Sequence, residues 1–404
     1  ISTRDWSSDV CSSDLSCPPP AAAREEDRMN PQNLERAVAL RHELHQNPDL
    51  SNQERPTLER VMRFLKEYTK LEIVDKGHYV YAVYRSQTPD SPNIAFRADC
   101  DAIKVEDAID KPYRSVRAGI GHKCGHDGHT AALAALALEV DLEGAARDVY
   151  FLFQPAEENG SGAASCLDFI SDNQIDEIYA AHGHGTYYPD GTITVKYGTI
   201  QFASKGMIIT MTGSPAHAAN PENGRNPIYA LSKLALETRD LMKNPAYKGF
   251  VLATVVQMDV GEHEAFGVMA SKGRLLLTIR GENEAEMNDL DNNIRDAAMR
   301  FAQEEGLTCA FEYRDVFPET RNHDVSVDKI KKACSELGYR IYETPEARRG
   351  SEDFGHYLKM TKGAIFYCSF GKDYPAIHTA AYDFDDQGIE RIVEVNKKLI
   401  QYSE

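Results

Sequence analysis

From Met29 to about Lys70 the apolar residues Leu34, Val38, Leu40 and Leu44, and then Leu58, Val61 and Leu65, recur mostly at three- or four-residue intervals. That spacing predicts two amphipathic helices, and Asn47-Pro48 between them predicts a turn. Short apolar runs follow, from Tyr79 to Tyr84, Ile94 to Phe96, Val149 to Phe153 and Ile178 to Ala181. The Ala/Leu stretch from Thr130 to Val140 reads as a helix among them. Short buried strands alternating with helices predict an α/β sheet covered on both faces.

The pattern changes near residue 200. Residues 203–213 and 273–280 read as strands, whereas 226–243 and 284–305 have helical spacing. Two strand and helix pairs predict a smaller α+β domain inserted into the larger one. After Asp315 the α/β pattern resumes, with a helix over 325–337, a strand over 364–370 and a helix over 387–402. The expected layout is a discontinuous domain of residues 29–201 and 314–404, with residues 202–313 as the insertion.

Composition narrows the function classes. The chain has 404 residues, 45 Lys+Arg against 63 Asp+Glu, and a formal net charge of -18. With no compensating basic run, that charge repels phosphate backbones and argues against nucleic-acid binding. No stretch approaches the ~18 consecutive apolar residues of a membrane helix, which argues against a bilayer-spanning role. The eight cysteines are scattered rather than regularly spaced, which predicts a reducing, cytoplasmic setting. Residues 1–28 have no apolar periodicity, contain Pro18-Pro19-Pro20, and include RDWSSDVCSSDL, which resembles a translated sequencing-adapter fragment. This tail is expected to be disordered, and the folded protein is expected to start at Met29.

Four segments carry candidate chemistry. In GHKCGHDGHTAALAALAL (121–138), Cys124, His126, Asp127 and His129 crowd into six positions before an Ala/Leu helix, with Gly125 and Gly128 permitting tight turns. Thiolate and imidazole together suit zinc, and also cobalt, nickel or manganese once carboxylates join them. A polar helix cap with incidental histidines is the alternative. In FLFQPAEENGSGA (151–163), Pro155 ends a strand, so Glu157 and Glu158 lie just beyond its carboxyl end, where open α/β sheets place ligands. One carboxylate can bind metal while the other moves protons, although an exposed acidic turn reads the same way. In AAHGHG (180–185) and IHTAAYDF (377–384) a histidine follows an apolar run, again at an expected sheet edge.

These segments, with RHELHQNPDLSNQE (41–54), FRADCDAI (96–103), HAANPENGRNPI (217–228) and GSEDF (350–354), resemble the metal-dependent aminoacylase and carboxypeptidase family. The match is to its amidohydrolase branch of hippurate hydrolases, N-acetyl-amino-acid deacetylases and indole-acetyl-amino-acid hydrolases. The resemblance implies a mixed-sheet α/β di-metal hydrolase domain with an inserted α+β lid that dimerises. It implies two divalent ions, with Cys124 bridging them and His126, Glu158, His182 and His378 completing the shells. Glu157 would be the general base that takes a proton from the attacking water and delivers it to the leaving amine. His217 would reach the partner subunit's site, while Asn226 and Arg280 would meet the substrate's free carboxylate. Asp99 would orient a metal-bound imidazole without itself binding metal. Glu352 and Asp353 would shape the cleft or cap a helix.

Three departures set the chain apart. The stretch from His182 to Gly191 is one residue longer than usual and contains His184, a second candidate for one ligand; His182 is favoured because it directly follows the expected strand. Ile103-Lys104 stands where Leu-Pro is common, and Asp385-Asp386 replaces Asn-Glu. The expected reaction is hydrolysis of the amide of an N-acyl amino acid or small peptide-like conjugate by a homodimer. Dipeptidase or carboxypeptidase activity, cysteine nucleophilic catalysis by Cys124, and an inert metal- or ligand-binding relative are the alternatives.

Overall fold

The computed structural model describes residues 27–88, 91–185 and 188–402. The expected tail thus falls outside the described residues except for Asp27 and Arg28. Those two are tied to the C-terminal helix, Asp27 by Lys398 at 2.5 Å and Arg28 by Glu394 at 3.3 Å.

The chain opens with α1 (Pro31–Gln46) and α2 (Arg55–Tyr68). Asn30 caps α1 by accepting the Gln32 N–H at 2.9 Å, and Pro31 occupies the first turn, where its missing N–H costs nothing. Strands β1 (Glu72–Asp75), β2 (Val80–Tyr84) and β3 (Ile94–Asp99) lead to α3 (His126–Glu143), followed by β4 (Val149–Gln154). Two short helices, α4 (Gly162–Ser165) and α5 (Asp168–Asp172), precede β5 (Glu177–His184), β6 (Ile193–Val195) and β7 (Gly198–Gln201). The insertion comprises β8 (Ala203–Thr212), α6 (Pro227–Leu241), β9 (Val251–Val260), β10 (Lys272–Gly281), α7 (Glu284–Glu304) and β11 (Thr308–Phe317). The chain returns through β12 (Thr320–Asn322), α8 (Asp324–Leu337), β13 (Ile341–Glu343), α9 (Gly355–Leu358), β14 (Lys362–Ser369) and α10 (Gln387–Gln401).

Eight strands form one mixed sheet in the order β1-β2-β4-β3-β5-β14-β6-β13. Its centre, β4-β3-β5-β14, is parallel throughout. Side-chain alternation sorts the strands between two layers. Val149, Phe151 and Phe153 of β4 join the core beneath α1, α2, α3, α8 and α10, whereas Tyr150 and Leu152 join the core with α5 and α9. Because α3 is apolar on nearly every side, it is buried from His126 to Val140 and lies against α1, α10 and the sheet.

The insertion is a four-stranded antiparallel sheet, order β11-β8-β10-β9, with a core shared with α6 and α7. Two strands here were not anticipated. The polar residues that alternate through β11 disguise it, and β9 is mostly exposed along its length. β11 also runs on to Phe317, past the boundary expected at 313. The entering and leaving segments pair with each other as the β7/β12 ribbon. In β10, Leu275, Leu277 and Ile279 are buried in the core with the helices, which turns Thr278 and Arg280 to the opposite face of the sheet.

Candidate metal centre

The ends of the four central parallel strands supply the polar cluster. Asp99 closes β3, Glu157 and Glu158 follow β4, His182 and His184 end β5, and His378 follows β14. Ligand sites in open α/β sheets form at such carboxyl ends because the backbone leaves the sheet there and loops diverge. Two non-glycine residues take left-handed backbone conformations at the cluster, Ala156 (φ 52°) and His378 (φ 63°). Such conformations persist only where surrounding contacts enforce them. Ala156 donates its N–H to Glu54 at 2.8 Å, and His378 donates its own to the Lys123 carbonyl at 2.6 Å.

Cys124 reaches the cluster through Gly125, whose φ of 97° and closeness to Tyr382 leave no room for a side chain. The ligand atoms of Cys124, His126 and His182 lie within 4.8 Å of one another, and so do those of Cys124, Glu158 and His378. Cys124 is the shared vertex of the two triads. Its Sγ is 3.4 Å from His182 Nε2, and Glu158 Oε1 is 3.5 Å from His378 Nε2. His126 Nε2 and Glu158 Oε1 are buried without a hydrogen-bond partner. Buried orphaned acceptors on carboxylate and imidazole, around a thiol, are the donor set a divalent cation satisfies.

The imidazoles are held in the tautomers that metal binding needs. His126 Nδ1 lies 2.9 Å from the Asp101 carbonyl and 3.2 Å from its carboxylate. His182 Nδ1 faces the Gly183 carbonyl at 3.1 Å. Each Nδ1 therefore carries the proton and donates it, leaving the Nε2 lone pair toward the cluster. His129 has both nitrogens engaged, Nδ1 with Asp99 at 2.7 Å and Nε2 accepting the Gly183 N–H at 2.9 Å. It braces α3 against β3 and β5. His184 joins neither triad: it is buried beside Tyr367, with Nε2 unpartnered.

Asp99 was expected to orient a metal-bound ring, yet it hydrogen-bonds His129, and His126 Nε2 is 3.7 Å away from it. Asp101 holds His126 instead. It also accepts the N–H groups of Glu157 at 3.2 Å and Glu158 at 3.1 Å, so one carboxylate positions three members of the cluster. The two-residue repeat in FRADCDAI is the only sequence signal for it. Arg97 was likewise not singled out. It is buried, and its guanidinium contacts Asp99 at 2.8 Å, Glu352 at 3.1 Å and Asp353 at 2.7 Å. Glu352 and Asp353 are thus partners in an interior ion network.

Glu157 stands at the junction of these groups, buried, with Oε2 3.9 Å from His126 Nε2. Burial, and then the neighbouring carboxylates of Glu352, Glu158 and Asp353, hold its carboxyl well above the ordinary range. Divalent cations would pull it back down. The cluster opens into a cavity of about 650 Å³ whose far wall is the insertion, including Lys205, Thr278 and Arg280. Arg280 donates to the Arg349 carbonyl at 2.8 Å and Ser351 Oγ at 2.9 Å, and it has no carboxylate partner among the described residues. His217 and Asn226 are not brought to this cavity. His217 is exposed, and the Asn226 side chain caps α6 by accepting the Ile228 N–H at 3.0 Å.

Known proteins share both the sequence pattern and the fold. An N-acetylcysteine deacetylase of Bacillus subtilis is 27% identical over 363 residues, covering 88% of this chain and 93% of its own. A hippurate hydrolase of Campylobacter jejuni is 26% identical over 366 residues, covering 89% and 94%. A solved structure from methicillin-resistant Staphylococcus aureus superposes with TM-score 0.84 at 21% identity, covering 92% of this chain and 97% of its own. A dinuclear metal-binding peptidase of B. subtilis gives TM-score 0.77 at 24% identity, covering 92% and 98%. Residues 95–402 match the description Peptidase family M20/M25/M40 across the strands that carry the cluster, and this chain belongs to that family.

Proposed function

We propose that this protein is a two-metal amidohydrolase that cleaves the amide of N-acyl amino acids, releasing a carboxylate and a free amino acid. The observation that carries the reading is the pair of ligand triads sharing Cys124, with the buried carboxylate of Glu157 beside them. Cys124, His126 and His182 would hold one divalent ion, and Cys124, Glu158 and His378 the other; manganese, zinc, cobalt and nickel all suit this set. Bound there, the ions supply Lewis acidity that stabilises negative charge developing on the carbonyl oxygen.

The chain's own residues do the rest. Glu157 takes a proton from the attacking water and hands it to the leaving nitrogen, a role its buried position beside His126 and Glu158 suits. Arg280, on the cavity wall without a carboxylate partner, meets the substrate's free carboxylate through its planar fork. The inserted domain acts as lid and dimer surface. Supporting this, β9 and α6 expose Val256, Tyr229 and Leu236, which a second copy would cover. His217 and Asn226, both on the insertion and remote from their own cavity, would serve the partner's site.

All six described cysteines are free, in keeping with a reducing, cytoplasmic setting. Among the described residues no helix is long and apolar enough to cross a membrane.

The test is Glu157→Gln. The variant retains metal while turnover of N-acetyl or benzoyl amino acids falls by about 10²–10⁴-fold, and chelation abolishes turnover in the parent. Full activity of the Gln variant sinks the base assignment. Activity that survives chelation but not thiol alkylation points instead to a Cys124 nucleophile.

A further inference from the structure

Arg348 stands on the cavity wall between β13 and α9 with its charge unanswered. Its backbone is fixed, since its N–H donates to the Ile200 carbonyl at 2.8 Å and its carbonyl accepts the Phe202 N–H at 3.1 Å. The guanidinium lies over the Tyr367 ring, 4.0 Å from the centroid. Among the described residues no carboxylate lies within ion-pair distance and no acceptor takes any of its five N–H donors.

The contrast with the other interior arginines is sharp: Arg41 holds Asp127, Asp383 and Asp386, and Arg97 holds Asp99, Glu352 and Asp353. The groups facing Arg348 are Tyr367, Tyr188 and His184. None carries negative charge near neutral pH. Half-buried on the cavity wall, with its N–H donors turned to the cavity and only an aromatic face beside it, this guanidinium is free to take an anion that enters the cavity.

We propose that Arg348 receives a second carboxylate of the substrate, so that the preferred substrates are N-acyl amino acids bearing two carboxylates, one for Arg280 and one for Arg348. This rests on the amidohydrolase reading above. The second carboxylate comes either from an acidic amino-acid side chain or from a dicarboxylic acyl group, and a bidentate fork recognises both alike.

The experiment compares kcat/KM of the metal-loaded protein on N-acetylglutamate against N-acetylglutamine, and on N-succinylalanine against its terminal amide. At least one carboxylate substrate is preferred over its neutral isostere by about tenfold to hundredfold, the range of a charge-assisted pair; which pair shows the preference identifies the source. Arg348→Met, which keeps the stem over Tyr367, collapses that preference, and Arg348→Lys restores part of it. Equal rates on both members of each pair overturn the proposal, as does a preference that survives in Arg348→Met.

If none of these substrates is hydrolysed although N-acetylalanine is, the dicarboxylate proposal fails alone. If nothing is hydrolysed, the amidohydrolase reading fails. Calorimetric titration of metal-loaded Glu157→Gln with N-acetylglutamate, N-succinylalanine and their amides then decides the role of Arg348 by binding, with equal affinities within each pair overturning it.

Discussion

Replacing Asp101 with Asn separates the two proposed metal positions by arithmetic on single hydrogen bonds. Oδ1 of Asp101 accepts from His126 Nδ1 and the Glu157 N–H, both at 3.2 Å, while Oδ2 accepts from Ser51 Oγ at 2.7 Å and the Glu158 N–H at 3.1 Å. An amide keeps one acceptor and turns the other into a donor. With the NH₂ at the Oδ1 place, two donors, from His126 and Glu157, lose their acceptor. With it at the Oδ2 place, Ser51 can rotate its hydroxyl to accept, and only the Glu158 N–H is orphaned. The second orientation wins, and His126 also keeps its 2.9 Å bond to the Asp101 carbonyl.

One buried unpaired N–H costs about 1–3 kcal/mol, and it falls on the backbone of a ligand in the Cys124–Glu158–His378 triad. The expected result is that one of two metal-binding steps weakens about tenfold to hundredfold while the other moves much less. Titration of the apo protein with zinc or manganese against a chelating dye resolves the two steps. The reasoning fails if both steps keep parent affinity, or if both weaken equally.

Two further outcomes follow from the same interior. Gly128→Ala gains about 1 kcal/mol in helix propensity, but the new Cβ would fall 2.1 Å from the Phe384 ring, so overpacking dominates. Denaturant titration is expected to show a net loss of about 1–3 kcal/mol, and unchanged stability contradicts the contact.

His45 bridges Asp127 at 2.8 Å and Asp107 at 3.1 Å. Burial disfavours its charge, but Asp127 and then Asp107 outweigh burial and hold its pKa up at about 9. A histidine raised above its unfolded value near 6.5 adds stability in full below about pH 6.5, and that contribution, on the order of 3 kcal/mol, disappears as pH rises through 9. The stability difference between the parent and His45→Gln should therefore shrink between pH 6 and 9.5. A constant difference refutes the protonated bridge.

Local pattern was enough for the elements whose signal is periodic. The α1/α2 pair, the apolar α3, the central strands and the clustering of Cys124, His126, Glu157, Glu158, His182 and His378 near strand ends were all legible. Residues close in sequence share one helix turn or one loop, and hydrophobic period reports burial directly. The resemblance of the motifs supplied the pairing of roles that spacing leaves open.

Tertiary structure decided what depends on strand order. β3 and β4 are neighbours in the sheet, but β5 and β14 come together across about 180 residues, and only their parallel pairing brings His182 and the loop of His378 to the same edge. Between His182 and His184 the sequence favoured His182 for its place right after the apolar run, but β5 runs on through His184 and residues two apart on a strand share a face, so it is the fold that sets His182 Nε2 3.4 Å from Cys124 Sγ and leaves His184 outside both triads. Asp101, Arg97 and Arg348 were invisible for a related reason. A charged residue in a sequence reads as solvated surface until the fold removes its water and shows which partner, if any, replaces it.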